Sequence, residues 1–173
     1  VVTGGASGIG LGMATKFAAN GMKLVLADIE VPALEKAAAD FESRGVEVLA
    51  VPTDVGDESA MDALAARTFE RFGAVHVVCN NAGVGAGGPM WELTRKDWEW
   101  AMRPNLWGVI HGVRVFAKHL VEQDEGHVVN TASRMQSEVA APGQIVIGRA
   151  TFDRVRDQVS ARTLGGLSLR GRS

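Results

Sequence analysis

The stretch Thr3-Gly4-Gly5-Ala6-Ser7-Gly8-Ile9-Gly10 follows a short apolar run and opens a segment with helical periodicity. Small residues are required in such a turn, because Gly4 permits a tight bend and Gly8 lets the backbone approach a ligand. Gly10 allows the helix to pack closely on the strand. Free N–H groups and a partial positive charge at the start of that helix attract an anion. The stretch therefore predicts a site for a pyrophosphate group.

An acidic residue ends the next apolar run, which reads Leu24-Val25-Leu26-Ala27-Asp28. A carboxylate in this place can accept hydrogen bonds from both ribose hydroxyls of NAD and would repel the 2′-phosphate of NADP. The alternative is that Asp28 only caps the turn after its strand. The glycine-rich turn and the acid together favour a dinucleotide site that takes NAD rather than NADP.

Short apolar runs alternate with longer amphipathic segments along the rest of the chain. Buried strands are predicted over residues 1–3, 23–28, 46–51, 75–79 and 127–131. Helices are predicted over residues 10–20, 32–43, 58–72 and 95–121. This alternation predicts an α/β fold, a doubly wound parallel sheet of Rossmann type with helices on both faces.

The ends of the predicted helices carry suitable residues. Glycines that favour a left-handed helix end are Gly21, Gly45 and Gly73. Residues that suit a helix start are Pro32, Asp57 and Thr94. Asp97, three positions after Thr94, predicts a near capping box.

Composition indicates one globular domain, because 173 residues with 46% hydrophobic residues can bury a core. The net charge of −2 does not favour a nucleic-acid partner. No apolar run is long enough to span a membrane and no leader precedes the first motif, so a cytoplasmic protein is expected. The single cysteine, Cys79, is expected to be a buried thiol, and the four histidines lack the spacing of a metal site.

The character of the sequence changes towards its end. Residues 149–173 contain six arginines and no lysine. A Rossmann-type domain is therefore predicted over residues 1–148 and a divergent, arginine-rich tail over residues 149–173. The tail is interpreted as a loosely docked amphipathic segment with a disordered end. The alternative, a basic tail for an anionic surface, is opposed by Asp153 and Asp157.

Further motifs follow the glycine-rich stretch in order. They are Asp54-Val55, Asn80-Asn81-Ala82-Gly83, Asn105-Leu106-Trp107-Gly108 and Val128-Val129-Asn130-Thr131-Ala132-Ser133. Taken together, the motifs resemble those of the short-chain dehydrogenase/reductase family, over about residues 1–133. The resemblance implies an oxidoreductase that transfers a hydride between NAD and a small-molecule secondary alcohol or ketone.

The resemblance also implies a role for each matching residue. The implied cofactor-binding residues are Gly4, Ser7, Gly8, Ile9 and Gly10 at the pyrophosphate, Asp28 at the adenosine ribose, Asp54 and Val55 at the adenine, and Asn81, Ala82 and Gly83 along the floor. The implied catalytic residues are Asn105, which would order a proton-relay water, and Ser133, which would bind the substrate carbonyl. Without the resemblance, Asn80 and Asn81 would be assigned to a turn and Ser133 to a helix cap.

The chain departs from the family at the proton donor. The family uses Tyr-x-x-x-Lys beyond the serine, whereas this chain has no tyrosine. Ile147 and Thr151 occupy the two positions, or Val146 the first if no gap is allowed. None of these side chains exchanges a proton in general acid–base catalysis, which is typically worth about 10² to 10⁴ in rate. Little or no catalysis is therefore expected from this chain.

A second departure is Pro104, which lies inside the predicted helix 95–121 and directly before Asn105. A proline there removes one helical hydrogen bond and costs about 3 kcal/mol unless the helix kinks. Two outcomes are open. Either the helix is kinked at this point, or Asn105 is displaced from the position that the family gives it.

The predicted sheet is incomplete, because the first strand begins abruptly at Val1 and the family has further strands after Ser133. Three interpretations remain open: an active NAD-dependent dehydrogenase, a non-catalytic NAD-binding protein, and a truncated or out-of-frame product without activity. A homo-oligomer is also left open. Subunits of this family often pair through the fourth helix and the helix of the tyrosine, and the latter is altered here.

Overall fold

The computed structural model of the protein describes residues 1–131. The strands are β1 (Val2–Thr3), β2 (Leu24–Asp28), β3 (Val48–Pro52), β4 (Val77–Asn80) and β5 (His127–Asn130). The helices are α1 (Gly8–Ala19), α2 (Val31–Ser43), α3 (Glu58–Phe72), α4 (Arg95–Met102) and α5 (Gly108–Glu122). The expectations for Ser133, Ile147, Thr151 and the tail 149–173 lie outside the described residues.

The five strands form one parallel sheet in the order β3-β2-β1-β4-β5. β1 is central, since Val2 pairs with Leu26 of β2 on one side and with Cys79 of β4 on the other. The chain order reverses between β1 and β4. In doubly wound sheets, ligands bind at this reversal, outside the carboxyl ends of the strands.

Both faces of the sheet are covered, as a doubly wound fold requires. Alternate residues of β2 point to opposite faces, because successive side chains of a strand do so. Leu24 and Leu26 belong to one core cluster with Leu34 and Phe41 of α2. The other cluster contains Val25 and Ala27 together with Met61, Leu64, Phe116 and Leu120 of α3 and α5. The predicted α/β class and the helices on both faces are confirmed.

The predicted helix ends are also confirmed. Gly21, Gly45 and Gly73 all have positive φ, between 74° and 77°. The Asp57 carboxylate accepts hydrogen bonds from the N–H groups of Ser59 and Ala60. Thr94 and Asp97 form a full capping box. These contacts satisfy helix-end groups that have no partner within the helix.

The prediction of one continuous helix over residues 95–121 is wrong. A π-helical turn, Arg103–Trp107, separates α4 from α5. The N–H of Gly108 donates to the carbonyl oxygen of Arg103, five residues back. Pro104 explains the change, because proline has no N–H to donate and its ring crowds the carbonyl four residues before it. The kink is therefore accommodated by a wider turn.

The last strand also differs from the prediction. β5 was expected to be buried on both faces, whereas all four of its residues are exposed. Among residues 1–131, β5 lies at one edge of the sheet and pairs only with β4. An edge strand has a neighbour on one side only, so an apolar run such as Val128-Val129 does not by itself establish burial.

Cys79 lies in β4, between β1 and β5, and its thiol is fully buried, as predicted. Burial raises the pKa of Cys79 to about 11. Because the thiolate is the reactive form, the folded protein should react with iodoacetamide at least about 100-fold more slowly than the unfolded chain at about pH 8. Mass spectrometry with and without denaturant measures this ratio. Equal rates in both states would contradict a buried thiol.

Candidate functional site

A cleft of about 540 Å³ opens at the carboxyl edge of the sheet. It lies between the glycine-rich turn, the ends of β2 and β3, the loop after β4, and the segment from α4 to the π-helical turn. The residues that line it are Gly4, Ser7, Gly8, Ile9, Asp28, Ile29, Glu30, Thr53, Asp54, Val55, Asn81, Ala82, Gly83, Val84, Trp100, Arg103 and Pro104. Of the residues predicted to bind a cofactor, all but Gly10 are among them.

The glycine-rich turn is shaped by contacts that leave no room for larger residues. Gly4 has a φ of 62°, and an added Cβ there would lie 3.0 Å from the Cα of Ala82. Gly10 lies beneath the turn, and an added Cβ would overlap the carbonyl oxygen of Gly4. Gly8 has a φ of 51° and begins α1. The turn thus brings backbone and the N-terminal end of α1 to the cleft, where free N–H groups can bind an anion.

Asp28 lies at the end of β2 with both carboxylate oxygens held by backbone. Oδ2 accepts a hydrogen bond of 3.0 Å from the N–H of Ala6 in the glycine-rich turn. Oδ1 accepts one of 3.1 Å from the N–H of Glu30. A carboxylate has about four lone-pair positions, so each oxygen can accept one more hydrogen bond. The orientation of Asp28 is therefore fixed while it keeps the capacity to bind a diol.

Thr3 holds the loop after β4 in place, and sequence reasoning did not assign it a function. Its Oγ1 accepts hydrogen bonds from the N–H groups of Asn81 and Ala82, at 2.9 and 3.0 Å. The same hydroxyl donates to the carbonyl oxygen of Cys79. The Asn81 side chain in turn donates to the carbonyl oxygen of Thr3 at 3.0 Å. These contacts join the glycine-rich turn to the loop after β4.

The two neighbouring asparagines after β4 have different surroundings. Asn81 lines the cleft, whereas the Asn80 side chain is buried and donates to Asn130 Oδ1 across β4 and β5. The Asn80 Oδ1 atom lies against the Cα of Gly112 in α5. Asn80 therefore belongs to the packing between sheet and helix.

Asn105 lies in the π-helical turn, and both polar atoms of its side-chain amide form hydrogen bonds. Oδ1 accepts a hydrogen bond of 2.9 Å from the N–H of Val84, and Nδ2 donates to the carbonyl oxygen of Val84 at 2.7 Å. The side-chain amide of Asn105 thus makes two hydrogen bonds to the loop after β4. Within the described residues its two polar groups both bind backbone, and the relay role stays a prediction.

Asp54 and Arg103 close the far end of the cleft. Asp54 Oδ1 accepts a hydrogen bond of 2.9 Å from the N–H of Gly56. Asp54 Oδ2 pairs with Arg103 Nη2 at 3.0 Å. Both side chains are partly exposed. Asp54 was predicted for this site, but Arg103 was not, because its partner lies 49 positions earlier in the chain.

Two further residues, Trp100 and Glu30, line the cleft and were not among the predicted site residues. The side chain of Trp100 is 55% exposed. Glu30 could have been predicted from the sequence, because it lies two positions after Asp28, the acid that ends β2. A second carboxylate beside Asp28 adds negative charge to this part of the cleft.

Two other kinds of site are absent from residues 1–131. No cluster of three or more histidine, cysteine or acidic residues there is arranged to hold a metal ion. None of the helices there has the length and apolar character that crossing a bilayer requires.

Known proteins resemble the chain over most of its length. The 1-deoxy-11-beta-hydroxypentalenate dehydrogenase of Streptomyces arenae is 40% identical over 144 residues, which is 82% of this chain and 51% of that protein. A short-chain dehydrogenase/reductase from Burkholderia phymatum, solved in complex with NAD, is 46% identical with a TM-score of 0.75 and is matched over 82% of this chain and 50% of its own.

An alcohol dehydrogenase from the archaeon Thermococcus sibiricus, solved with 5-hydroxy-NADP, is 31% identical with a TM-score of 0.72. It is matched over 82% of this chain and 60% of its own. The chain spans about half the length of the curated relatives that it matches. The family model described as short chain dehydrogenase matches residues 1–146. With its parallel Rossmann-type sheet and its glycine-rich cleft, the chain belongs to the short-chain dehydrogenase family.

Proposed function

We propose that this chain binds NAD in the cleft and that, by itself, it turns over little or no substrate. The observation that carries the proposal is Asp28, whose carboxylate is oriented by backbone N–H groups beside the start of α1. An anion site and a diol acceptor lie next to each other, which is the arrangement that a dinucleotide requires.

The residues of the cleft fit each part of the cofactor. The start of α1 and the Ser7 hydroxyl, which makes no cap hydrogen bond, would hold the pyrophosphate. Asp28 would accept hydrogen bonds from the ribose. Asp54 and Val55 would contact the nucleobase, and Ala82 with Gly83 would line the floor. The Cβ-free positions Gly4 and Gly8 keep the turn open for this contact.

Charge favours NAD over NADP. Asp28 and Glu30 both line the cleft at the predicted ribose position, and a 2′-phosphate would be repelled by them. Arg103 is the single cation among the described residues of the cleft, and it is paired with Asp54. The solved relatives include a complex with NAD and one with an NADP derivative, so the family itself uses both.

Hydride transfer would require more than the described cleft. Bound NAD would supply the hydride acceptor, and a protein group must then take the proton of the alcohol. The chain has no tyrosine, and the hydroxyl of Ser133 is too weak an acid to be present as the alkoxide that could take this proton. NAD binding is therefore the function that this chain's own residues support best.

Calorimetry with NAD and NADP, together with a turnover assay on secondary alcohols, tests the proposal. We expect saturable NAD binding, at least about tenfold weaker NADP binding, and no increase in NADH absorbance. Equal binding of NADP would contradict the cofactor preference. Turnover would contradict the proposed loss of catalysis. A soluble chain that binds neither dinucleotide would contradict the proposal as a whole.

A further inference from the structure

The ion pair between Arg103 and Asp54 connects two parts of the chain that the sequence does not relate. Arg103 belongs to the π-helical turn, and Asp54 follows β3. The aliphatic part of Arg103 rests on Gly56, where an added Cβ would lie 3.0 Å from the Cβ of Arg103. The backbone of Arg103 is fixed as well, because its carbonyl oxygen accepts the hydrogen bond from Gly108 that closes the turn.

Resting on the proposed function, we propose that Arg103 is a positioning residue that orients the Asp54 carboxylate towards the exocyclic amino group of adenine. Asp54 Oδ1 is held by the N–H of Gly56 and Oδ2 by Arg103, so the plane of the carboxylate is set by two contacts. Each oxygen keeps a lone pair for a further donor. Arg103 thereby makes the end of the cleft selective for a base that presents an amino group.

The chemistry of the base explains the selectivity. An amino group donates a hydrogen bond to a carboxylate, whereas a carbonyl oxygen at the same position would face it with two acceptors and no proton. Without Arg103, Asp54 would be held by Gly56 alone and could rotate away from the base. The guanidinium is suited to this task because it is planar, always charged and offers several donors.

The partial exposure of the pair sets the size of the effect. The side chains of Arg103 and Asp54 are 57% and 39% exposed, and such pairs contribute little to folding stability. Loss of Arg103 should therefore change ligand selectivity while leaving thermal unfolding nearly unchanged. A purely structural role would predict the opposite.

The test compares NAD with nicotinamide hypoxanthine dinucleotide, which carries an oxygen in place of the amino group of adenine. For Arg103→Gln we expect NAD affinity to fall about fivefold and affinity for the hypoxanthine analogue to change less than about twofold. Arg103→Lys should recover part of the loss. The control is Arg114→Gln, since Arg114 pairs with Asp62 at 2.7 Å and does not line the cleft.

A double-mutant cycle shows whether Arg103 acts through Asp54. In an Asp54→Ala background, Arg103→Gln should have no further effect on NAD affinity. Equal losses for both dinucleotides, a gain in NAD affinity, or a full additional loss in that background would each overturn the inference. If the unmodified chain binds neither dinucleotide, the proposed function falls and takes this inference with it.

Discussion

Replacing Asp28 by alanine is expected to weaken NAD binding about 100-fold. Hydrogen bonds to a charged group contribute about 1.5 to 3 kcal/mol each, and the ribose offers two hydroxyls to this carboxylate. A loss of about 3 kcal/mol corresponds to roughly a factor of 100 in the dissociation constant. The variant also leaves the N–H of Ala6 without its side-chain acceptor, so the turn loses a contact that fixes its shape. Calorimetric titration measures the change.

Two companion variants separate charge from shape at this position. Asp28→Asn keeps an acceptor for the N–H of Ala6 but removes the charge, so the ratio of NAD to NADP affinity should fall. Asp40→Ala removes a carboxylate from α2 that pairs with Arg44 on the surface and does not line the cleft, and it should leave binding unchanged. An Asp28→Ala variant that bound NAD as tightly as the unmodified chain would show that the cleft holds its ligand elsewhere.

Substitution of Gly10 by alanine should both destabilise the fold and weaken dinucleotide binding. The new Cβ would overlap the carbonyl oxygen of Gly4 and lie 2.7 Å from Asn81 Nδ2. Overpacking of this kind typically costs about 1 to 3 kcal/mol. Because the turn and the loop after β4 must move apart, NAD affinity should fall at least about tenfold.

Gly12 provides the matched control on the same helix. An added Cβ at Gly12 meets no atom within 4 Å, and Gly12→Ala should stabilise the fold by about 0.5 to 1 kcal/mol through helix propensity. Thermal unfolding of the two variants should therefore shift in opposite directions. The same shift for both would mean that Gly10 is not confined as the structure describes.

The arrangement of helices and strands could be predicted from sequence because it depends on local patterns. Apolar runs that end at Asp28 and at Cys79 mark strands, and a glycine after a helical segment marks the end of a helix. The residues of the glycine-rich turn are adjacent in sequence, so their common place in the cleft follows directly. The interruption at Pro104 was visible as a conflict, but its resolution as a π-helical turn was not.

The contacts that complete the cleft could not be predicted, because they join residues far apart in the chain. The Thr3 hydroxyl binds backbone 78 and 79 positions later. The Arg103 side chain reaches Asp54, and Asn105 reaches Val84. None of these pairs has a periodicity or a spacing of its own. Burial of β5 was predicted wrongly for a related reason, since burial depends on neighbours that a strand's own residues do not specify.

The π-helical turn also changes the direction in which the side chains of α5 point relative to those of α4. Each residue of an α-helix advances the direction of its side chain by about 100°, and a π-helical turn takes up one extra residue without that advance. Trp100 before the turn faces the cleft, and Gly108 after it packs against Val55. In an uninterrupted helix these two positions would point about 80° apart, whereas the extra residue brings them to within about 20° of each other. Because of the proline, the same side of this helical segment lines the ligand cleft before the turn and packs towards the sheet after it.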